Sequence, residues 1–171
     1  MADNPGANWY AFYTKPRHEK KVAKALTERQ IKHYLPLVST IKQWQDRKKT
    51  VAEPLLKSYI FACIPIAERL NVLEVPGVVA MVKIGSSFPA IPQWQIDALQ
   101  IFVDAYHAEM RKEPYEKFVL GQKVEAIRGP LQGISGRIIA IGKRIRFAVG
   151  IDSIRSSFSV EIAAEDIRKL D

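Results

Sequence analysis

The stretch Glu53-Pro54-Leu55-Leu56-Lys57-Ser58-Tyr59-Ile60-Phe61, continuing through Ala62-Cys63-Ile64, decides the fold. From Ser58 onward it is the most apolar run of the first half of the chain and reads as a central strand. Period two along Tyr59 and Phe61 puts both rings on one sheet face. Upstream, Thr50–Leu55 reads as the return arm of a hairpin whose polar, basic tip is Gln45–Lys49. The outgoing arm is Ile41-Lys42-Gln43-Trp44, preceded by His33-Tyr34-Leu35-Pro36-Leu37-Val38, where Pro36 favours an edge or a bulge.

Further out, Trp9-Tyr10-Ala11-Phe12-Tyr13-Thr14 reads as an aromatic strand. Pro16 suits the first turn of a helix. Across 17–31, Val22 and Leu26 mark an apolar stripe at helical spacing, with Lys20, Lys21, Lys24 and Glu28 on the other face. On the C-terminal side, Ala67–Val75 predicts a short helix, Val78–Ile84 a strand and Pro92–Arg111 a long helix. Lys112-Glu113-Pro114-Tyr115-Glu116-Lys117 is charged and proline-broken, and reads as a linker.

Beyond the linker the texture changes. Val124–Ile127, Gly136–Ile141, Arg144–Ile151, Ser157–Ile162 and Asp166–Leu170 are short, Ile- and Val-rich and punctuated by glycine. Five such segments predict a small β-barrel with a thin core and no room for a deep catalytic pocket. Gly142-Lys143 fits a two-residue hairpin turn. The expected class is therefore α+β. A mixed domain over 8–111, with a mainly antiparallel sheet flanked by helices, is joined by a linker at 112–117 to a barrel at 118–171.

Composition narrows the chemistry. His18, His33 and His107 are scattered, and a single cysteine, Cys63, rules out an internal disulfide and any zinc motif. No phosphate-binding glycine loop or nucleophile elbow is present. No enzyme, cofactor or metal is expected. No apolar run reaches the ~18 residues of a membrane span, and 1–8 lack the pattern of a signal peptide, so a cytoplasmic protein is expected. The net charge of +8 is concentrated at one end: 1–50 hold eleven Lys/Arg against four Asp/Glu. That asymmetry suits a polyanionic partner as well as a solvated basic face.

Three stretches, in order along the chain, resemble the NusG family. They are Trp9-Tyr10 with Lys15-Pro16-Arg17-His18-Glu19-Lys20-Lys21-Val22-Ala23, then Glu53–Phe61, then Gly121-Gln122-Lys123-Val124 with Gly129-Pro130-Leu131-Gln132-Gly133-Ile134-Ser135-Gly136. The last is similar to the KOW motif. Arg17-His18-Glu19-Lys20-Lys21-Val22-Ala23, Leu35-Pro36, and Gln43-Trp44 with Asp46-Arg47-Lys48-Lys49 look closer to specialised relatives, RfaH and the UpxY-type antiterminators of capsular polysaccharide operons.

The resemblance implies an N-terminal (NGN) domain that binds the clamp helices of RNA polymerase through an apolar concavity. It places Tyr13, Leu56, Tyr59, Phe61, Ile84, Ile96 and Leu99 around that concavity. A tyrosine needs a polar exit, which favours an interface for Tyr13 and Tyr59, whereas Phe61 suits core and interface alike. Lys15, Arg17, His18, Lys21 and Lys24 are implied to face the non-template DNA strand of the transcription bubble. The tip Arg47-Lys48-Lys49 suits a further nucleic-acid contact or a merely soluble turn. The KOW domain, an SH3-like five-stranded barrel, is implied to recruit a ribosomal small-subunit protein or termination factor Rho. Gly129, Pro130, Gly133 and Gly136 are expected to be structural, supplying backbone angles closed to other residues. The whole is expected to be a monomeric elongation or antitermination factor. The rival reading is a ribosome-associated KOW protein that binds RNA.

Overall fold

The structure, a computed structural model, describes residues 6–44, 47–106, 110–141 and 145–170. The chain divides into two compact units, Met1–Pro92 and Gln93–Asp171.

In the first unit β1 (Asn8–Thr14) and β5 (Tyr59–Ile64) run antiparallel, in register from Asn8↔Ile64 to Tyr13↔Tyr59. β6 (Val78–Met81) covers the other edge of β1, and the two-residue β2 (His33–Tyr34) covers the other edge of β5. The most apolar strand is thus interior, as the sequence predicts. Alternation sends Tyr10, Phe12, Ile60, Ala62 and Ile64 to one face. There α1 (Glu19–Glu28) contributes Val22 and Leu26, and α2 (Arg69–Leu73) contributes Val72. At 10 residues α1 is shorter than the ~12–15 at which an isolated helix becomes even marginally stable. Its two fully buried aliphatic side chains, each contributing about 1.5–3 kcal/mol, hold it in place.

α1 begins at Glu19, not in the first turn after Pro16. Pro16 instead sits in a turn closed by the His18 amide donating to the Lys15 carbonyl. The strand expected at 33–38 is split at Leu35-Pro36, because proline brings no N–H to a ladder. From there β3 (Leu37–Trp44) and β4 (Arg47–Pro54) form a separate two-stranded ribbon. The Leu55 amide donates to the Pro36 carbonyl and closes the ribbon at its base.

The second unit holds α3 (Gln93–Tyr106), β7 (Arg111–Glu113), α4 (Tyr115–Val119), β8 (Gln122–Ala126), β9 (Ser135–Ile141), β10 (Ile145–Ile151), β11 (Ser156–Ile162) and β12 (Ile167–Lys169). Its antiparallel strands follow the order β12-β8-β9-β10-β11-β7. The five glycine-punctuated segments read from the sequence are β8 to β12, a small barrel-like sheet around Val124, Leu131, Phe147, Phe158 and Val160. The expected turn at Gly142-Lys143 lies outside the described residues.

The expected linker, 112–117, runs through the end of β7, Pro114 and the start of α4, and β7 pairs with β11 through Ser157↔Glu113, Phe158↔Lys112 and Ser159↔Arg111. The long helix α3 falls in the second compact unit, where it packs on β10 and β11. Of the motif glycines, Gly129 and Gly133 do sit at positive φ, +74° and +83°. Gly136 serves a different need, close approach: a Cβ there would lie 2.5 Å from the Ala148 carbonyl oxygen and 2.5 Å from the Phe147 ring.

Candidate functional site

The face of the first unit's sheet opposite α1 and α2 carries Trp9, Ala11 and Tyr13 from β1 and Tyr59 and Phe61 from β5, by the same alternation. Tyr13 and Tyr59 are cross-strand partners, and their rings lie 4.9 Å apart between centroids. Burial, followed by hydrogen bonding with Tyr13, pushes the Tyr59 hydroxyl up to about 12. It is therefore a neutral phenol at physiological pH. Phe61 stacks on Tyr34 of β2 at 6.5 Å. The aromatic rings thus form two pairs on one sheet face, one across β1 and β5 and one across β5 and β2.

The residues expected to bind polymerase fall into two groups. Tyr13 and Ile84 are 39 % and 51 % exposed, and Tyr59 is half-buried. Leu56, Phe61, Ile96 and Leu99 are each at most 3 % exposed. Sheet geometry brings Tyr13, Tyr59 and Phe61 together, and the Leu56 carbonyl accepts from the Tyr59 amide in the turn leading into β5. Ile84 lies in a tight turn, bridged to Ser87. Ile96 and Leu99 belong to α3, whose buried face also carries Gln95, Ala98 and Phe102. Leu99 and Phe102 line a small cavity with Val149, Ile151 and Phe158 of the strands, so these two side chains are covered within their own unit.

The residues expected to face nucleic acid are arranged around the start of α1. Lys15, Arg17, Lys21 and Lys24 are exposed. His18 is half-buried, its Nδ1 3.1 Å from the Pro16 carbonyl oxygen and its Cβ against Gly77, so it is partly a packing residue. Lys24 pairs with Glu28 at 4.0 Å, an exposed contact of little energetic weight. Beside Arg17 opens a cleft of about 530 Å³, lined by Pro16, Arg17, Glu19, Glu53, Pro54, Lys57 and Ser58. Arg17 and Ser58 adopt φ of +65° and +63°, which a side chain disfavours. A buried carboxylate holds this geometry: Glu19 Oε1 accepts from the Ser58 amide at 2.7 Å. The Lys20 ammonium donates to the Ala52 carbonyl at the ribbon's base. Arg17 and Lys57 are thus presented on a pinned loop pair, which suits an anion such as a phosphate.

Sequence reasoning missed Glu19. A signal existed, because Glu19, Val22 and Leu26 lie on one helical stripe and a carboxylate there needs a buried donor. It also missed Asp152, whose carboxylate accepts from Gln95 of α3 and from the Tyr115 hydroxyl of α4. Among the described residues no cluster of His, Cys, Asp or Glu could hold a metal ion, and no helix is long and apolar enough to cross a membrane.

Residues 7–100 match the family described as NusG, transcription termination factor nusG. Among solved structures, one of domain interaction in Thermotoga maritima NusG aligns over 96 % of this chain and 98 % of its own, at 22 % identity and a TM-score of 0.50. It bears on the fold. A chain of an MjSpt4:Spt5 complex aligns over 95 % of this chain and 98 % of its own, at 15 % identity and a TM-score of 0.30. No curated protein matches the sequence.

Proposed function

This chain belongs to the NusG family of transcription factors, and on that premise we propose that it binds RNA polymerase through the aromatic face of its first sheet and promotes elongation through pause or termination sites. The observation that carries this reading is the Tyr13–Tyr59 pair. Two adjacent phenols, one of them 39 % exposed, stand on a sheet face that takes no part in the core under α1 and α2. Aromatic anchors of this kind bury large area with few rotatable bonds and dominate interface energy.

The clamp helices of the polymerase are the proposed partner. Leu56 and Phe61, both buried, would back that surface from beneath, and Ile84 adds an exposed edge. Ile96 and Leu99, on the buried face of α3, complete the set of proposed polymerase-binding residues. A factor that favours one clamp conformation shifts the polymerase population toward it. Lys15, Arg17, Lys21 and Lys24, with Lys57 at the cleft, are the proposed contacts to non-template DNA. The barrel is the proposed recruiting module, for a ribosomal small-subunit protein or Rho. Leu35-Pro36 and Gln43-Trp44 favour the specialised antiterminators within the family.

The test is binding of the purified chain to core polymerase, together with transcription through a terminator with and without it. Saturable binding and increased read-through are expected. A chain with no affinity for polymerase, alone or on a nucleic-acid scaffold, overturns the reading.

A further inference from the structure

The cleft beside Arg17 lies wholly within the first unit, between the turn that follows β1 and the segment joining β4 to β5. Its charged lining is balanced in number, Arg17 and Lys57 against Glu19 and Glu53. It is not balanced in use. Glu19 is 4 % exposed and accepts from the Ser58 amide at 2.7 Å, and Glu53 Oε2 accepts from the Thr40 hydroxyl at 3.3 Å. Arg17 and Lys57 are both exposed, and among the described residues neither side chain makes a hydrogen bond or an ion pair, although two carboxylates line the same cleft. The positive φ of Arg17 and Ser58, held by Glu19, fixes the backbone that keeps these charges apart.

Two unpaired cations on one cleft call for an anion of matching charge. A terminal phosphate monoester carries a charge of about −1.5 to −2 near neutral pH, whereas each internal phosphate of a nucleic-acid strand carries one negative charge. The match is to the terminal phosphate. The ligand must also suit Glu53. An ionised carboxylate only accepts, at about four lone-pair sites, so it takes donors beside Thr40. Guanine presents two adjacent donors, N1–H and the N2 amino group, which suit the two oxygens of one carboxylate. Adenine sets an amino group beside an acceptor nitrogen, which a carboxylate repels. Pro16 and Pro54 add apolar surface for the flat faces of a base. The volume of about 530 Å³ falls in the range of about 300–1,000 Å³ usual for small-ligand sites.

We propose that this cleft binds a small guanine nucleotide bearing a terminal phosphate, with the phosphate on Arg17 and Lys57 and the N1–H and N2 amino edge of the base on Glu53. Glu19 touches no part of the ligand's charge balance and acts as a positioning residue, through its bond to the Ser58 amide beside Lys57. Arg17 and Lys57 are also the cations proposed above for the DNA strand, so a bound nucleotide occupies part of that contact and sets strand and nucleotide in competition. The binding itself concerns the first unit alone and does not rest on polymerase binding.

The experiment titrates the full chain with GMP, AMP and the dinucleoside monophosphate GpG, and follows amide resonances. GMP should shift Arg17, Glu53, Lys57 and Ser58 saturably. AMP should bind about tenfold more weakly, for want of the paired donors. GpG offers guanine and an internal phosphate but no terminal one, and should also bind about tenfold more weakly than GMP. Glu53→Gln, checked for retained resonance dispersion, should bring GMP and AMP to within about twofold of each other. No saturable shift with GMP, shifts that map away from the cleft, or equal affinity of the wild type for GMP and AMP overturns the proposal. So does GpG binding as tightly as GMP, which would make the cleft part of a strand-binding track. A chain that binds polymerase but not GMP loses this inference and keeps the polymerase reading.

Discussion

The ring of Phe102 on α3 stacks against the ring of Phe147 on β10, centroids 6.4 Å apart and planes inclined by 28°. Each is at most 1 % exposed, so the pair is the aromatic centre of the second unit. It also fixes which way the apolar stripe of α3 points.

Phe102→Ala should lower the stability of the chain by about 3–5 kcal/mol, the range for removing a buried phenylalanine. Urea unfolding followed by circular dichroism measures this. A loss under about 1 kcal/mol would mean that α3 is held to the strands by something other than this ring.

Gly136→Ala should destabilise by about 1–3 kcal/mol through overpacking, because the added methyl meets the Ala148 carbonyl and the Phe147 ring. Gly129→Ala meets no neighbouring atom and pays only for its left-handed backbone, so it should be the milder of the two. Comparing the two unfolding midpoints checks the order.

Tyr13→Ala should weaken polymerase binding at least tenfold, or about 1.4 kcal/mol, in line with an aromatic anchor. Because Tyr13 is 39 % exposed, its thermal midpoint should move little. Wild-type affinity for this variant would remove the tyrosine pair from the interface.

Lys21→Glu combined with Lys24→Glu should reduce affinity for single-stranded DNA and flatten its dependence on salt. Each phosphate contact on a single strand contributes about 0.7 to the logarithmic salt slope, so losing two should reduce it by about 1.4. Titrations at several salt concentrations read this directly, and an unchanged slope makes both lysines spectators.

Stability should fall in alkali. Burial raises the Tyr59 and Tyr115 hydroxyls from 10.0 to about 12, aided by hydrogen bonding with Tyr13 and Asp152 respectively. A group with a higher pKa when folded holds more protons folded than unfolded between the two values, so raising pH through that interval favours unfolding. The contribution is whole below about pH 10 and is lost as pH climbs to about 12. Tyr115→Phe should reduce stability at neutral pH, through its lost bond to Asp152, and flatten the decline above about pH 10. Chemical unfolding across that range tests both parts.

The elements legible in the sequence are those whose side chains carry the signal. Tyr59 to Ile64 declares a buried strand by unbroken apolar content, Val22 and Leu26 declare a helix by spacing, and the strands of the barrel announce themselves between glycines. β7 was illegible because Arg-Lys-Glu has no strand propensity. Its conformation comes from Arg146 and Ser159, more than thirty positions downstream. The candidate site was half legible for a similar reason. Aromatic residues in Tyr13 and Tyr59 mark a face, but nothing local tells that Ile96 and Leu99 lie covered while Tyr13 stays open. The role of Gly136 was misread because close approach of Phe147 is a tertiary fact, invisible in a glycine motif.

The bond from Leu55 to Pro36 ties the two feet of the β3–β4 arm, and Lys20 bonds to Ala52 a little farther out, so it is the pairs beyond Ser39 and Ala52 that stand apart from the four-stranded sheet. Removing matched residues from both arms, or grafting extra pairs, changes reach without disturbing the aromatic pairs, and doubling the enclosed length costs only about 0.6 kcal/mol of closure entropy. Removing a single residue from one arm has the opposite character, since it turns every subsequent side chain to the reverse face. The arm is therefore a graduated ruler, adjustable in steps of one cross-strand pair, on which descendants of this chain can alter their span while the sheet beneath is left untouched.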